Sequence, residues 1–144
     1  MTDGIGNIVD RTDPTTESFW ASARKGKLLI QRCRTCSRYQ FYPRPFCLVC
    51  ESDEIDEVPA SGLGTVYSRT TVHLDAAPEL DLRPPYLVAI VELDEGPRLL
   101  SNLTSDACRI GTRVQVSWRS RGEQPPVPVF GPLPGAPEAG QRAS

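Results

Sequence analysis

The sequence lacks any long apolar run: nothing in its 144 residues approaches the roughly 20 apolar positions that cross a bilayer. It also lacks a strong charge of either sign. A formal charge of −2 gives no global attraction to nucleic acid or to an anionic membrane. Apolar residues make up 39%, slightly below the globular norm. The first ten residues carry Asp3 and Asp10 and no basic stretch, so no secretory signal is expected and a cytoplasmic location is. Such a compartment disfavours disulfides and leaves thiols free for metal ligation. Histidine is nearly absent, with His73 the single example, and no internal repeat is present.

What is present divides into three stretches. Residues 1–12 have no periodicity and are expected to be disordered. Residues 13–58 are expected to hold a helix and a ribbon. Asp13 suits an N-cap and Pro14 the first helical position. Thr16, Phe19, Trp20 and Ala23 then recur at helical spacing, and Gly26 marks the stop, with Arg24 and Lys25 in the last turn. Residues 27–32 and 39–42 predict two short strands, followed by an acidic connector over 51–57. Residues 59–130 turn to strand grammar: β-branched and aromatic runs over 65–74, 86–93, 98–103, 113–118 and 127–130, separated by Gly/Pro turns. The nearly continuous apolar run at 86–93 predicts a strand covered on both faces. Five short strands without intervening helices fit an OB-like barrel best. A Pro-rich loop over 75–85 either binds something or is slack. Residues 131–144 hold too little apolar area to offset the entropy of ordering and are expected to be disordered.

Cys33-x2-Cys36 and Cys47-x2-Cys50 form two pairs separated by ten residues. A two-residue gap lets one tight turn aim two thiolates at a single ion, and two such turns complete a tetrahedron. All four positions are then filled by protein, which leaves no place for water and makes the site structural. One zinc ion is the expected occupant; iron in a rubredoxin-like site is the rival. Cys108 stands outside the set as a small buried hydrophobe or, alternatively, a nucleophile.

The charge around these cysteines is one-sided. Arg24, Lys25, Lys27, Arg32, Arg34, Arg38 and Arg44 occur with no acid between them, interleaved with Tyr39, Phe41, Tyr42 and Phe46. Guanidinium forks suit phosphate oxygens, and aromatic faces suit a planar base. A phosphorylated, base-bearing small molecule fits, and so does single-stranded nucleic acid; a solvated charged surface is the plain alternative.

The ordered set of Phe19-Trp20, Leu28-Leu29-Ile30-Gln31-Arg32-Cys33, Gln40-Phe41-Tyr42-Pro43-Arg44-Pro45, Gly64-Thr65-Val66-Tyr67-Ser68, Pro84-Pro85-Tyr86 and Asp94-Glu95-Gly96-Pro97-Arg98 resembles the OB-fold acyl-CoA-associated family with an N-terminal rubredoxin-like zinc ribbon. That family was long called a domain of unknown function. The resemblance spans roughly residues 19–130. It implies a mainly β protein with an N-terminal helix, a zinc ribbon and a five-stranded OB barrel. It further implies an accessory, non-catalytic subunit of a thiolase-fold enzyme, a thiolase or a steroid side-chain CoA aldolase, that helps hold acyl-CoA in lipid metabolism. A steroid side-chain CoA is the preferred acyl group by analogy. Arg32, Arg34, Arg38, Tyr39, Phe41 and Arg44 are the candidate CoA contacts, and Phe19 and Trp20 either cover this chain's own barrel or form a candidate partner interface. One departure is visible: ribbons of this type often carry Gly after the second cysteine of a pair, where this chain has Ser37 and Glu51. The alternative function is a single-stranded nucleic-acid-binding module, although the acidic connector weighs against nucleic acid. An independent enzyme would need His73 or Cys108, which fall on different expected elements.

Overall fold

The structure, a computed structural model, describes residues 14–74 and 83–133. It opens with helix α1 (Pro14–Ala23). A three-stranded sheet follows, made of β1 (Leu29–Cys33), β2 (Tyr39–Gln40) and β3 (Ile55–Pro59). A five-stranded sheet is made of β4 (Leu63–Val72), β5 (Tyr86–Leu93), β6 (Arg98–Asn102), β7 (Arg113–Arg121) and β8 (Gln124–Pro132). The expected N-cap Asp13, the segments 1–12 and 134–144, and most of the 75–85 loop lie outside the described residues.

The helix ends as its sequence suggests. Gly26 takes φ 75. Its amide donates to the Ala23 carbonyl at 2.9 Å, and the Lys27 amide reaches back to Ser22 at 2.9 Å. These two bonds satisfy carbonyls that the last turn would leave bare, and the left-handed conformation they require suits glycine. Arg24 and Lys25 fall in this closing turn, just past the last helical residue.

The small sheet has the order β2-β1-β3, all antiparallel. β3 corrects the reading of 51–57 as a plain connector. Ile55 to Pro59 pair in full with Cys33 to Leu29, so the acids fold back against the basic strand, with Asp56 opposite Arg32. A strand this acidic has weak intrinsic preference for the extended state; the ladder to β1 supplies what the local sequence lacks.

The larger sheet runs β6-β5-β4-β7-β8. It nearly closes where Leu103 bridges Phe130, the Thr104 amide donates to the Phe130 carbonyl at 2.9 Å, and the Ser101 hydroxyl donates to the Pro128 carbonyl at 2.9 Å. This is the five-stranded barrel of an OB fold. β8 is longer than the expected 127–130. Pro125, Pro126 and Pro128 argue against a strand by propensity, but β8 ends the sheet, so β7 is its one laddered neighbour. β5 is not covered equally on both faces: Ala89, Val91 and Leu93 are fully buried, whereas Val88 and Ile90 on the other face are half-buried. One face of a barrel strand points inward and the other toward solvent.

Helix, ribbon and barrel share one core. Phe19, Leu28 and Ile30 cluster with Val66, Val91, Leu99, Val114 and Phe130, and Cys108 belongs to the same cluster. Phe19 is therefore inside this chain rather than presented to a partner, which corrects the interface expectation for that residue. Trp20 is half-buried against the same core, edge-on to Phe19 at 4.8 Å, with Arg121 over its ring at 5.1 Å.

Candidate metal centre and its surroundings

Each cysteine pair sits on a tight turn. At the first, the amides of Thr35 and Cys36 point at Cys33 Sγ, at 3.3 and 3.4 Å. At the second, the Val49 amide points at Cys47 Sγ, at 3.3 Å. The turns close alike: Ser37 N–H donates to the Cys33 carbonyl at 2.8 Å, and Glu51 N–H to the Cys47 carbonyl at 2.9 Å. The residues standing where related ribbons have glycine, Ser37 and Glu51, adopt φ 69 and φ 66.

The two turns face each other. Cys33 Sγ lies 3.6 Å from Cys50 Sγ, Cys36 Sγ lies 3.6 Å from Cys47 Sγ, and all four sulfurs fall within 4.8 Å of one another. Zn–S bonds of about 2.3 Å in a tetrahedron require sulfur–sulfur edges of about 3.8 Å, so the cage is of the right size. The electrostatics agree. The Cys36 amide, joined by that of Thr35, holds the Cys33 thiol at about 6 in spite of burial. The amides of Cys50 and Val49 lower Cys47 in the same way. For Cys50 the Ser52 amide pulls downward, but desolvation and the sulfurs of Cys33, Cys36 and Cys47 push its thiol up to about 12. The first thiolates form readily, and the crowding of negative charge that holds back the last is relieved by a cation at the centre. Cys33, Cys36, Cys47 and Cys50 are the ligands of one structural zinc.

The candidate CoA contacts do not form one surface. Arg34 is paired with Asp56 at 3.2 Å, a consequence of the β3 strand. Arg32 lies over the Tyr39 ring at 5.7 Å. Phe41 is half-buried and packed against the core, with its ring 5.5 Å from Phe19. Arg44 lines a groove beside Asp53, Asp56 and Glu57. Arg38 and Tyr39 come together elsewhere, with Ser37, in a cleft of about 290 Å³ whose far wall is the β5–β6 turn, Glu95 to Pro97.

Cys108 is fully buried, and burial pushes its thiol up despite the nearby Arg69 guanidinium. His73 is exposed just beyond β4. Among the described residues, neither side chain is hydrogen-bonded to a base or a nucleophile.

Sequence reasoning missed a pair of glutamines. Gln31 and Gln40 are register partners on β1 and β2. Gln31 is only 5% exposed, and its side chain holds both the N–H and the carbonyl of Arg44, at 2.8 and 3.0 Å. Gln40 donates to the Gln31 carbonyl oxygen at 2.8 Å and to the Phe46 carbonyl at 3.1 Å, and it accepts from the Leu48 amide at 3.1 Å. The one sign in the sequence is an amide directly after the apolar run Leu28 to Ile30.

A thiolate-closed ribbon sharing its core with a five-stranded barrel defines a zinc-ribbon/OB-fold protein. Two family profiles match in chain order, "ChsH2, rubredoxin-like zinc ribbon domain" over residues 20–56 and "ChsH2, C-terminal OB-fold domain" over 57–119. The chain belongs to this family, DUF35. A DUF35 domain-containing scaffold protein of Methanocaldococcus jannaschii is 33% identical over 105 residues, 69% of this chain and 74% of that one. A probable enoyl-CoA hydratase alpha subunit of Thermomonospora curvata is 39% identical over 119 residues, 80% of this chain; the match spans only 37% of that longer relative. Among solved structures, a chain of the Ltp2-ChsH2(DUF35) aldolase superposes with a TM-score of 0.75 at 35% identity, covering 84% of this chain and 96% of that one.

Proposed function

We propose that this chain is a non-catalytic accessory subunit that binds a thiolase-fold enzyme, a thiolase or an aldolase, and helps hold its acyl-CoA substrate. The similarity to a chain of an aldolase complex supports the first part. The observation that carries the second is the cleft between the first cysteine turn and the β5–β6 turn. Arg38 lines it and forms no ion pair among the described residues, and Tyr39 is 37% exposed beside it. A guanidinium suits the CoA phosphates and a partly exposed ring suits the adenine.

In this reading the partner supplies nucleophile and base. This chain supplies a metal-stiffened wall that lowers the entropic cost of placing the thioester. Its own metal is closed by four sulfurs and offers no open position for chemistry. The β3 acids, set against the basic strand, disfavour the nucleic-acid alternative by breaking the positive track that a phosphate backbone follows.

The test is steady-state kinetics of the complex. Arg38→Ala should raise KM for acyl-CoA about tenfold with kcat nearly unchanged, the loss expected for one charge-assisted contact. Arg34→Ala, already neutralised by Asp56, should change it far less. An unchanged KM in Arg38→Ala would remove CoA binding from the reading.

A further inference from the structure

The loop leading into the second cysteine turn exposes what globular proteins bury. Tyr42 is 51% exposed, Phe46 43%, Leu48 55% and Val49 60%. Single exposed apolar residues are ordinary, but four large ones within eight positions are not.

This loop is held, not slack. The Gln31–Gln40 relay fixes Arg44 at both its N–H and its carbonyl, then the Phe46 carbonyl, then the Leu48 amide. The next amide, Val49, is fixed by Cys47 Sγ, itself a metal ligand. Burying a glutamine amide costs free energy unless its polar atoms are bonded, and here the bonds of Gln31 go to an exposed segment and to Gln40. The fold thus invests a buried glutamine, its half-buried partner and a metal site in ordering an apolar surface. A surface ordered in advance loses less entropy when covered.

The ground beside it is acidic. A groove of about 470 Å³ borders Arg44 and Pro45 and is lined by Asp53, Asp56 and Glu57. Asp56 is used by Arg34. Asp53 and Glu57 are exposed and form no ion pair among the described residues.

We infer that residues 42–49 form the docking loop by which this chain seats on its thiolase-fold partner, in an apolar hollow bordered by a lysine or arginine that meets Asp53 and Glu57. The charge of the groove selects a basic rim on the partner. The inference rests on the accessory-subunit reading and adds to it the surface and the chemistry of the contact.

The probe is the thiolase-fold subunit that co-purifies with the wild-type chain, purified separately and titrated back by calorimetry. Leu48→Asp and Val49→Asp should each weaken binding at least tenfold while retaining one zinc per chain. The double change Asp53→Lys with Glu57→Lys should weaken it severalfold and flatten its salt dependence. Gln40→Ala, which leaves every apolar side chain in place and frees the loop, should weaken it by a smaller factor. Unchanged affinity in both Leu48→Asp and Val49→Asp, with wild-type binding intact, overturns the docking loop and leaves the functional reading standing. A wild-type homodimer split by Leu48→Asp overturns it too, by making the surface a self-interface. If the wild-type chain binds no thiolase-fold subunit at all, the functional reading falls first and the docking surface with it.

Discussion

Ser37 and Glu51 hold the same left-handed backbone, φ 69 and φ 66, each directly after the second cysteine of its pair. The conformation turns each amide back onto the carbonyl of the first cysteine, Cys33 or Cys47. For a residue with a Cβ this costs roughly 1–2 kcal/mol. Glycine would remove that cost but would lose about 0.5–1 kcal/mol more chain entropy on folding. The difference favours glycine. Ser37→Gly and Glu51→Gly should each stabilise the zinc-loaded protein by about 0.5–1 kcal/mol, seen as a higher Tm with unchanged zinc content. A lower Tm in both would show that these side chains contribute more than their backbone costs.

Zinc removal should unfold the ribbon and loosen what rests on it, because β1 contributes both Cys33 and the core residue Ile30. Structural zinc supplies on the order of 10–16 kcal/mol of apparent folding free energy in small ribbons. Chelation should therefore expose four thiols to alkylation, leave Cys108 protected for as long as the barrel persists, and abolish the near-UV signal of Trp20. Affinity should fall as pH is lowered. The Cys33 thiolate is held near 6 by the Cys36 amide; its contribution is complete above the ordinary thiol range and vanishes as pH drops through about 6. Zinc transfer to a chromophoric chelator, followed from pH 8 to pH 5.5, measures this directly.

The four ligands were legible in the sequence because their chemistry is local: two residues of spacing decide whether one turn can aim two sulfurs. The helix stop at Gly26 was legible for the same reason. β3 was not, because Asp56 and Glu57 are poor strand formers and only the distant β1 makes them extended. That miss carried an electrostatic error with it. The basic ribbon looked uninterrupted along the chain, yet in space Asp56 reaches Arg34 at 3.2 Å. The packing of Phe41 was hidden likewise, since interleaving with arginines says nothing of which way a ring turns, and this one turns toward Phe19. The prolines of β8 hid a strand that tolerates them only by its place in the sheet.

Asp94 and Arg113 give a second handle on pH. Both carboxylate oxygens accept from the guanidinium, at 2.6 and 2.8 Å, and Arg113 also donates to the Thr65 hydroxyl, so one fork ties β4, β7 and the turn after β5. The Arg113 hydrogen bonds hold the Asp94 carboxyl below its usual range. A lowered carboxyl contributes stability that is complete above about pH 4 and is lost as pH falls through the lowered value. Because the two side chains are 39% and 45% exposed, screening limits the contribution to about 0.5 kcal/mol. Asp94→Asn should cost that much at pH 7 in urea melts, and the gap between variant and wild type should narrow as pH falls below about 4, through the lowered value.

Gly64 and Gly122 separate two reasons for a glycine. Gly64 lies on the central strand, opposite Leu93 on one side and Val114 on the other. Its φ is ordinary, but a Cβ there would lie 2.6 Å from the Glu92 carbonyl oxygen and 2.9 Å from a Val91 methyl. Neither backbone nor a fully buried valine can retreat cheaply in a closed barrel, and overpacking of this kind costs about 1–3 kcal/mol. Gly122 shows the reverse: open space around it, but φ 69 in the β7–β8 turn. Alanine there pays only the conformational cost, roughly 1–2 kcal/mol less the chain entropy it saves. Gly64→Ala should therefore lower Tm more than Gly122→Ala, and the two losses should add in the double variant, since one strains a ladder and the other a turn at the far end of β7. A larger loss at Gly122 would mean that the barrel yields around Gly64, and that its near-closure at Leu103 and Phe130 is softer than the packing implies.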